Sequence, residues 1–327
     1  MSKVFITGIN GQDASYLTEY LLGMGHEVFG LIRRHSDTLN QQSRLDNIRD
    51  KIVTFYGDMT DASSLENILR EVMPDYIFNI AAQSHVRISF DIPVYTVDTN
   101  AVGALRLLDA YRRICPDAKY YQASSSEMFG LGVDQDGYQR ETTPMNPTSP
   151  YGCAKVFAYN ITRHYRRAYG LHACNGILFN HESKRRGTNF VTQKVVIEAV
   201  KIKLGLSNGL ELGNLDSYRD WGHSYDYVRA MWLIVNHSIP DDFVVATGET
   251  HSVREMCETV FGYLGLDYKD FVTQNPKYMR SEELPYLRGD SFKIRSELGW
   301  KPTYTFDSLL REMVDYWMVR LGKDTPR

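Results

Sequence analysis

The sequence predicts an α/β protein built around a doubly wound parallel sheet, and two observations carry this prediction. Through the first two-thirds of the 327 residues, short runs of β-branched and aromatic residues alternate with amphipathic stretches, which is typical of parallel strands joined by crossover helices. A glycine-containing turn at residues 7–14 stands between the first run and the first amphipathic stretch. With 43% hydrophobic residues, the chain is long enough for a large core and a smaller second lobe.

Each predicted strand is a short apolar run that ends in a polar or glycine-containing segment. We expect strands at residues 3–6, 27–32, 52–56, 76–79, 119–123 and 173–178. Between them, apolar residues recur at helical spacing, so we expect helices at residues 16–22, 62–72, 101–113 and 150–169. Asp61 stands just before the second helix and predicts its N-terminal cap.

Composition argues against several classes of function. The net charge is −3 and both signs are spread along the chain, so we expect neither nucleic acid nor a membrane surface as the main partner. No apolar run approaches the roughly 18 residues of a membrane span. The first strand begins at residue 3, so we expect no signal peptide and a cytoplasmic location. The four cysteines show no zinc-binding spacing, and we predict no metal site.

The turn after the first strand has the features of a dinucleotide-binding loop. Gly8 permits a tight turn, Gly11 lets the backbone approach a pyrophosphate, and Ala14 allows close helix packing. The N-terminus of the next helix would offer amide donors and a partial positive charge to the phosphates. A glycine pattern alone is weak, so its position between strand and helix carries the prediction. We assign cofactor contacts here to Gly8, Asn10, Gly11, Gln12 and Asp13.

The ends of later strands extend this prediction. Arg33 and Arg34 follow the second strand, where an acidic residue would favour NAD and an arginine favours the 2′-phosphate of NADP. We therefore expect NADP, with NAD as the alternative; two solvated surface arginines would fit the same sequence. Ligands bind at the carboxyl ends of parallel strands. By that rule we assign further cofactor contacts to Asp58, Met59, Ala81 and Gln83.

From about residue 180 the elements become shorter and aromatic residues more frequent, which predicts a smaller C-terminal α/β lobe. We expect its strands at residues 210–214 and 243–247, and its helices at residues 253–264 and 306–320. Residues 1–180 would mainly form a Rossmann-type dinucleotide-binding domain. Residues 181–327 would mainly form a substrate-binding lobe, with the chain crossing back between the lobes.

Tyr151 and Lys155 are four residues apart and so share one face of a helix. There the ammonium can lower the pKa of the phenol from about 10, and a phenolate beside a nicotinamide can take the proton of an alcohol. Such a pair is common on helix surfaces, but here it follows a dinucleotide strand series and the serines at positions 124–126. Glu127 would add a second acid/base, although a solvated turn carboxylate is its more frequent role.

At these residues the chain resembles the GDP-mannose 4,6-dehydratase family of the extended short-chain dehydrogenases/reductases, over nearly its whole length. The segments that carry the resemblance are residues 7–16, 81–90, 122–130, 149–155, 176–182, 185–192, 212–222 and 246–255. Residues 177–183 (Ile-Leu-Phe-Asn-His-Glu-Ser) and 219–223 (Arg-Asp-Trp-Gly-His) are far more specific than the glycine turn.

The resemblance implies a mechanism for the catalytic residues. Tyr151 would deprotonate the sugar C4 hydroxyl as hydride passes to NADP+, while Lys155 holds the cofactor ribose. Glu127 would remove the C5 proton and, assisted by Ser125, protonate the departing C6 hydroxyl. Hydride return to C6 would give a 4-keto-6-deoxy sugar.

The resemblance also implies ligand contacts and an assembly. Cofactor contacts would include His181 and Arg186, and a loop at residues 185–187 resembles one that reaches a neighbouring subunit's cofactor site. We therefore expect a homotetramer built as a dimer of dimers. Contacts to a GDP-sugar would come from Ser84, Ser126, Asn180, Glu182, Lys194, Leu212, Gly213, Arg219, Arg280 and Glu283.

Several positions depart from the family pattern. Ser125 stands where a threonine is usual, and the lost methyl suggests GDP-manno-heptose as an alternative substrate, since a methyl discriminates by only about 1 kcal/mol. Other interpretations are a nucleotide-sugar epimerase or reductase and a non-catalytic dinucleotide sensor. The remaining departures replace an arginine, a proline, an arginine and an aspartate, respectively, by Thr148, Lys184, Gln193 and Pro285.

Overall fold

The computed structural model describes residues 1–34, 43–279, 282 and 284–322. Arg280 and Glu283, which we predicted to contact the substrate, lie outside the described residues.

A parallel sheet of seven strands forms the centre of the molecule. The strands are β1 (Lys3–Thr7), β2 (Glu27–Ile32), β3 (Ile52–Tyr56), β4 (Tyr76–Asn79), β5 (Lys119–Ser125), β6 (Ala173–Leu178) and β11 (Asp242–Val245). Their order across the sheet is β3-β2-β1-β4-β5-β6-β11. This order and the parallel pairing confirm the predicted Rossmann-type fold.

Side chains alternate between the two faces of this sheet, because successive residues of a strand point in opposite directions. In β1, Val4 and Ile6 join the core on one face, and Phe5 joins the core on the other. Helices cover both faces. They are α1 (Gln12–Gly23), α2 (Ala62–Val72), α5 (Gly103–Ile114), α6 (Pro150–Tyr169), α8 (Ser224–Asn236) and α10 (Phe292–Leu298), and the short helices α3 (Val86–Asp91) and α4 (Pro93–Val97) pack against α6.

Local sequence signals set the ends of these helices. The Asp61 carboxylate accepts a hydrogen bond from the Ser63 amide and caps α2, as predicted. Helix α1 begins a full turn before the predicted start, so its N-terminus directly follows the glycine turn. Helix α5 begins after a π-helical turn at Asp98–Val102, later than predicted.

A separate hydrophobic core lies between α7 (Val191–Lys203), α9 (Val253–Tyr263) and α11 (Phe306–Gly322). Three two-stranded sheets flank this second core and the main sheet. They pair β7 (Asn180–Glu182) with β10 (Trp221–His223), β8 (Leu210–Leu212) with β13 (Val272–Gln274), and β9 (Tyr218–Arg219) with β12 (His251–Ser252).

We predicted a strand at residues 243–247 in the smaller lobe, and this location is wrong. The strand is β11, and it pairs with β6 at the edge of the main sheet. The side chains of Asp242–Val245 are all buried. A buried, mainly apolar strand would have the same kind of sequence in the main sheet and in the smaller lobe, so only its long-range pairing determines where it lies. The division of the chain at residue 180 stays a prediction.

Among the helices of the described residues, none combines the length and hydropathy that crossing a membrane requires. Within the same ranges, no group of three or more His, Cys, Asp or Glu side chains is arranged to hold a metal ion.

Candidate active site

A cavity of about 550 Å³ opens at the carboxyl edge of the main sheet and extends to the short strands β7 to β10. Many of the residues predicted from the sequence meet in its lining. They are Asp13, Ser84, Ser125, Ser126, Glu127, Tyr151, Lys155, Asn180, His181, Glu182, Arg186, Lys194, Leu212, Gly213 and Arg219. The other described residues of the prediction stand outside this lining: Gly8, Asn10, Gly11, Gln12, Arg33, Arg34, Asp58, Met59, Ala81 and Gln83.

The glycine turn brings the N-terminus of α1 to this edge. Gly8 has a φ of +67°, and a Cβ there would lie 3.0 Å from the Ala81 Cα, so the turn accepts no larger residue without a shift. The Gly11 amide donates to the Gly8 carbonyl oxygen over 2.8 Å, and α1 starts at the next residue. Amide donors at a helix end beside the cavity fit a dinucleotide pyrophosphate.

The residues that follow β2 and β3 lie further out. Arg33 and Arg34 are exposed, and Arg33 donates to the hydroxyl of Tyr95. The Asp58 carboxylate accepts from the amide and hydroxyl of Thr60, each over 2.9 Å. The Met59 side chain is buried in the core, so any ligand contact there falls to its backbone.

The loop after β4 is held by its own side chains. Gln83 accepts from the His85 amide over 2.6 Å and donates to the Thr96 hydroxyl over 3.2 Å. The Gln83 backbone also exchanges two hydrogen bonds with the side chain of Asn100. Gln83 therefore shapes the loop that carries Ser84, which lines the cavity.

Tyr151 and Lys155 lie on the first turns of α6, both buried. Ser149 caps this helix by accepting from the Gly152 amide over 3.0 Å, and Pro150 occupies the first helical position. The Lys155 Nζ donates to the Ala123 carbonyl oxygen over 2.8 Å and lies 5.7 Å from the centre of the Tyr151 ring. The predicted helix face therefore points into the cavity at the end of β5.

The protonation of this pair differs from our expectation. Burial raises the pKa of Tyr151 to about 12, although a hydrogen bond with Ser125 acts in the opposite direction. Burial also lowers the pKa of Lys155 to about 8. The net shift in the pKa of Tyr151 is therefore upward, opposite to the shift that we expected beside Lys155, because loss of solvation is its largest cause.

Glu127 is buried against the same end of α6. It follows β5, and its amide donates to the Ser125 hydroxyl oxygen over 3.3 Å. A Cβ on Gly152 would lie 2.7 Å from the Glu127 carbonyl oxygen and 2.9 Å from the Pro147 Cβ. A glycine next to Tyr151 thus allows α6 to approach Glu127, which places a phenol and a carboxylate in one cavity.

Asp13 and His181 form an ion pair across the floor of the cavity. The His181 Nε2 lies 2.8 Å from an Asp13 Oδ, and its Nδ1 lies 2.6 Å from the Phe179 carbonyl oxygen. Burial opposes charge on both groups, yet their mutual attraction raises the pKa of His181 and lowers that of Asp13.

A second wall of the cavity, formed by the short strands and the turn after β7, carries further polar groups. The Arg186 Nε lies 3.0 Å from a Glu182 carboxylate oxygen, and burial raises the pKa of Glu182 in spite of this partner. Arg219 is buried and donates to the Tyr218 and Leu284 carbonyl oxygens, each over 2.8 Å.

Lys194 borders the same wall. Its Nζ donates to the Glu211 carbonyl oxygen over 2.6 Å and lies 4.2 Å from the centre of the Tyr278 ring. Burial lowers the pKa of Lys194. Together with Arg219 and Arg186, it makes this wall suited to an anionic ligand.

The lining also contains residues that sequence reasoning missed. His85 and Trp221 are sequence neighbours of predicted site residues, and Phe190 lies inside a segment that carries the family resemblance. Their closeness in sequence to predicted residues could therefore have indicated them. Lys277 and Tyr278 reach the cavity from the loop before the undescribed Arg280, and nothing in the sequence indicated them.

Comparisons with known proteins agree with this geometry. The sequence profile of the family described as GDP-mannose 4,6 dehydratase matches residues 5–313. The chain belongs to this family.

Two curated relatives and one solved structure illustrate the similarity. The chain is 52% identical over 320 residues to GDP-mannose 4,6 dehydratase 2 of Arabidopsis thaliana, covering 95% of this chain and 85% of the relative. It is 47% identical over 336 residues to the human GDP-mannose 4,6 dehydratase, covering 94% and 89%. A UDP-glucose 4-epimerase of Thermus thermophilus, solved in complex with NAD, superposes with a TM-score of 0.83 at 27% identity, over 96% of this chain and 98% of that one.

Proposed function

We propose that this family member catalyses the NADP-dependent 4,6-dehydration of GDP-mannose to GDP-4-keto-6-deoxy-mannose. The observation that carries the proposal is the meeting of Tyr151 and Glu127 in one cavity, where both are buried. An alcohol oxidation needs one base, whereas an elimination that follows it needs a second acid/base. The family to which the chain belongs is named for this reaction.

The assignment of a nicotinamide dinucleotide cofactor rests on the hydrogen-bond donors at the carboxyl edge of the main sheet. The N-terminus of α1 and the glycine turn would hold the pyrophosphate, and Lys155 would hold the nicotinamide ribose. A bound nicotinamide dinucleotide would supply the temporary acceptor for the C4 hydride and return it at C6. The preference for NADP rests on Arg33 and Arg34. The alternative is NAD, the dinucleotide bound to the Thermus epimerase.

The residues of this chain perform the proton transfers. Tyr151 accepts the proton of the sugar C4 hydroxyl. Glu127 takes the C5 proton, which the neighbouring ketone makes acidic, and then gives a proton to the departing C6 hydroxyl with help from Ser125. Tyr151 and Glu127 are buried, which limits the access of bulk water to the groups that carry the elimination.

The GDP part of the substrate would lie against the wall that carries Lys194 and Arg219. Asn180, Glu182, Leu212 and Gly213 line the same region. A diphosphate there would meet cationic groups that are already positioned by hydrogen bonds, which limits the entropy lost on binding.

Assembly and location remain part of the proposal. The homotetramer rests on the resemblance of residues 185–187 to an intersubunit loop. Within this chain, Arg185 contacts its own α1 through Ser15 and Glu19, over 3.1 Å and 2.6 Å. Light scattering on the purified protein would measure the assembly, and the cytoplasmic location stays a prediction from the sequence.

The test is a mass measurement on GDP-mannose incubated with the purified protein, which is used without removal of bound nucleotide. The expected product has lost one water, and no NADPH is consumed. Stoichiometric consumption of NADPH would instead indicate a reductase, and unchanged mass would indicate an epimerase or a non-catalytic protein.

Glu127→Gln should bind the dinucleotide normally and lose product formation by roughly 10²- to 10⁴-fold, since it removes a general acid/base. Glu71→Gln, which changes an exposed carboxylate on α2, is the matched control and should react like the wild type. Normal turnover by Glu127→Gln would refute the acid/base role.

GDP-manno-heptose is the second substrate to test in the same assay. Ser125 lines the cavity beside Glu127, and it carries one methyl less than the threonine of the family pattern. If the heptose reacts several orders of magnitude more slowly than GDP-mannose, this alternative is wrong.

A further inference from the structure

The acidic side chain in the first turn of α1 poses an electrostatic problem. Asp13 follows Gln12 at the start of the helix and lines the cavity. A helix N-terminus attracts anions through its amide groups and its dipole. A carboxylate at the same place repels a pyrophosphate, so binding there requires a compensating cation.

The geometry of His181 supplies that cation. Its Nδ1 faces the Phe179 carbonyl oxygen at 2.6 Å, and its Nε2 faces a carboxylate oxygen of Asp13 at 2.8 Å. A carbonyl oxygen and an ionised carboxylate can only accept hydrogen bonds. Both ring nitrogens therefore carry protons, which makes His181 an imidazolium.

The pair is held from several sides. Gln12 donates to the His181 carbonyl oxygen over 3.1 Å and accepts from the Ser183 hydroxyl over 2.9 Å. The His181 ring stacks on Tyr227 with 4.5 Å between the ring centres. The side chains of His181 and Asp13 are only 12% and 16% exposed, so solvent screens their charges weakly.

We propose that His181 and Asp13 form a charge-compensating pair that keeps the N-terminus of α1 able to bind the dinucleotide pyrophosphate. This inference rests on the proposed function, because it takes a nicotinamide dinucleotide as the ligand. It changes the role that the sequence suggested for both residues. They are positioning residues, which act through each other and the helix end.

The net charge at the N-terminus of α1 changes with a single proton on His181. Arg186 and Glu182 form a second ion pair beside the first, so the four groups together carry no net charge. Mutual attraction raises the pKa of His181 against the effect of burial. Both charges are therefore present between the lowered pKa of Asp13 and the raised pKa of His181, and the ion pair is lost as pH rises through the latter and His181 gives up its proton. The other titratable groups around it are Arg44, Tyr121, Tyr151, Lys155 and Tyr227.

The test measures NADP+ binding by calorimetry to the full-length protein after bound nucleotide has been dialysed away, with no sugar present. His181→Gln removes the cation that is hydrogen-bonded to Asp13, and the affinity should fall about tenfold or more. The double variant Asp13→Asn/His181→Gln removes both charges and should bind within about threefold of the wild type. Melting temperatures without ligand show whether a variant has lost its fold.

A pH series gives a second readout. The affinity of the wild type should fall more steeply than that of the double variant as pH rises above the raised pKa of His181. Lys155, which would hold the cofactor ribose and whose pKa burial lowers to about 8, titrates in both proteins, so the difference between their slopes is the readout. Asp13→Asn leaves no buried unpaired carboxylate, so it keeps the test available if His181→Gln fails to fold: its affinity should also fall less steeply than that of the wild type over that range.

Two results would overturn the inference: a double variant as weak as His181→Gln, or a His181→Gln protein that binds like the wild type. Because no sugar is present, a failure of the dehydratase proposal would leave these outcomes unchanged. Absence of NADP+ binding by the wild type would instead refute the cofactor assignment itself.

Discussion

One wall of the cavity, the sheet wall, is formed by the ends of the long main-sheet strands and the segments that follow them. The second wall, the short-strand wall, is formed by β7, β8, β9 and β10, which are two or three residues long. The main-sheet strands are covered by helices on both faces. The short strands pair with segments far away in the chain. The sheet wall carries the phenol and the carboxylate of the proposed chemistry, and the short-strand wall carries the cations of the proposed recognition. Regular structure thus holds the reacting groups, and a wall assembled from distant segments surrounds the proposed site of the GDP part of the ligand.

The largest effect should come from the sheet wall. Tyr151→Phe removes the proposed base without changing the shape of the buried ring, and kcat should fall by about 10³-fold or more while the fold is retained. Because the wild-type phenol has a pKa near 12, wild-type activity should increase toward alkaline pH, whereas the residual activity of the variant should lose this dependence. Stopped assays of water loss from neutral to alkaline pH measure both.

Tyr169→Phe is the matched control on the same helix, since Tyr169 is 49% exposed. A Tyr151→Phe protein that keeps wild-type kcat would remove the chemical distinction between the two walls.

An intermediate effect should come from the junction of α6 with the end of β5. In Gly152→Ala the new methyl would meet the Glu127 carbonyl oxygen at 2.7 Å, so α6 must shift away from the carboxylate. A misplacement of this kind costs up to about 10²-fold in kcat, and overpacking costs about 1–3 kcal/mol of the free energy of unfolding. Kinetics and urea unfolding measure the two losses.

Gly262→Ala provides the control, because a Cβ at Gly262 in α9 meets nothing within 4 Å. It should leave kcat unchanged and increase the free energy of unfolding by about 0.5–1 kcal/mol. Equal effects of the two substitutions would show that the close approach of α6 is unimportant.

The smallest effect on chemistry should come from the short-strand wall. Asp220 follows Arg219 in the chain, between β9 and β10, is fully buried and accepts from the Thr247 amide and hydroxyl and the Gly248 amide. Asp220→Asn loses acceptors for these donors, so the KM for the GDP-sugar should rise a few-fold with kcat nearly unchanged. A large loss of kcat with unchanged KM would contradict the assignment of recognition to this wall.

The same substitution has a pH signature. Burial raises the pKa of Asp220 from 3.8 to about 6, so the folded state binds the proton more tightly than the unfolded state. Its contribution to stability is greatest below about pH 4 and is lost as pH rises through about 6, by up to about 3 kcal/mol. As pH rises from about 4 to about 7, urea unfolding should therefore show that the free energy of unfolding of Asp220→Asn increases relative to that of the wild type. Asp216→Asn, at a carboxylate that is 66% exposed, should follow the wild type.

The sequence predicted most of the sheet wall because the signals there are local. Short apolar runs placed the first strands, and Asp61 marked a helix start that the structure confirms. The spacing of Tyr151 and Lys155 put both on one helix face. Since parallel strands present their ends at one edge, the residues after them were predicted to meet, and many of them line the cavity.

The tertiary structure decided what depends on partners distant in the chain. Strand β11 is apolar wherever it lies, and only its pairing with β6 put it in the main sheet. Burial, which no single residue reveals, reversed the expected shift in the pKa of Tyr151. The proton on His181 likewise follows from acceptors on both sides of its ring, and one of them, Asp13, is 168 residues away in the chain. Residue order determines helices, turns and strands, but charge and protonation depend on the neighbours that folding supplies.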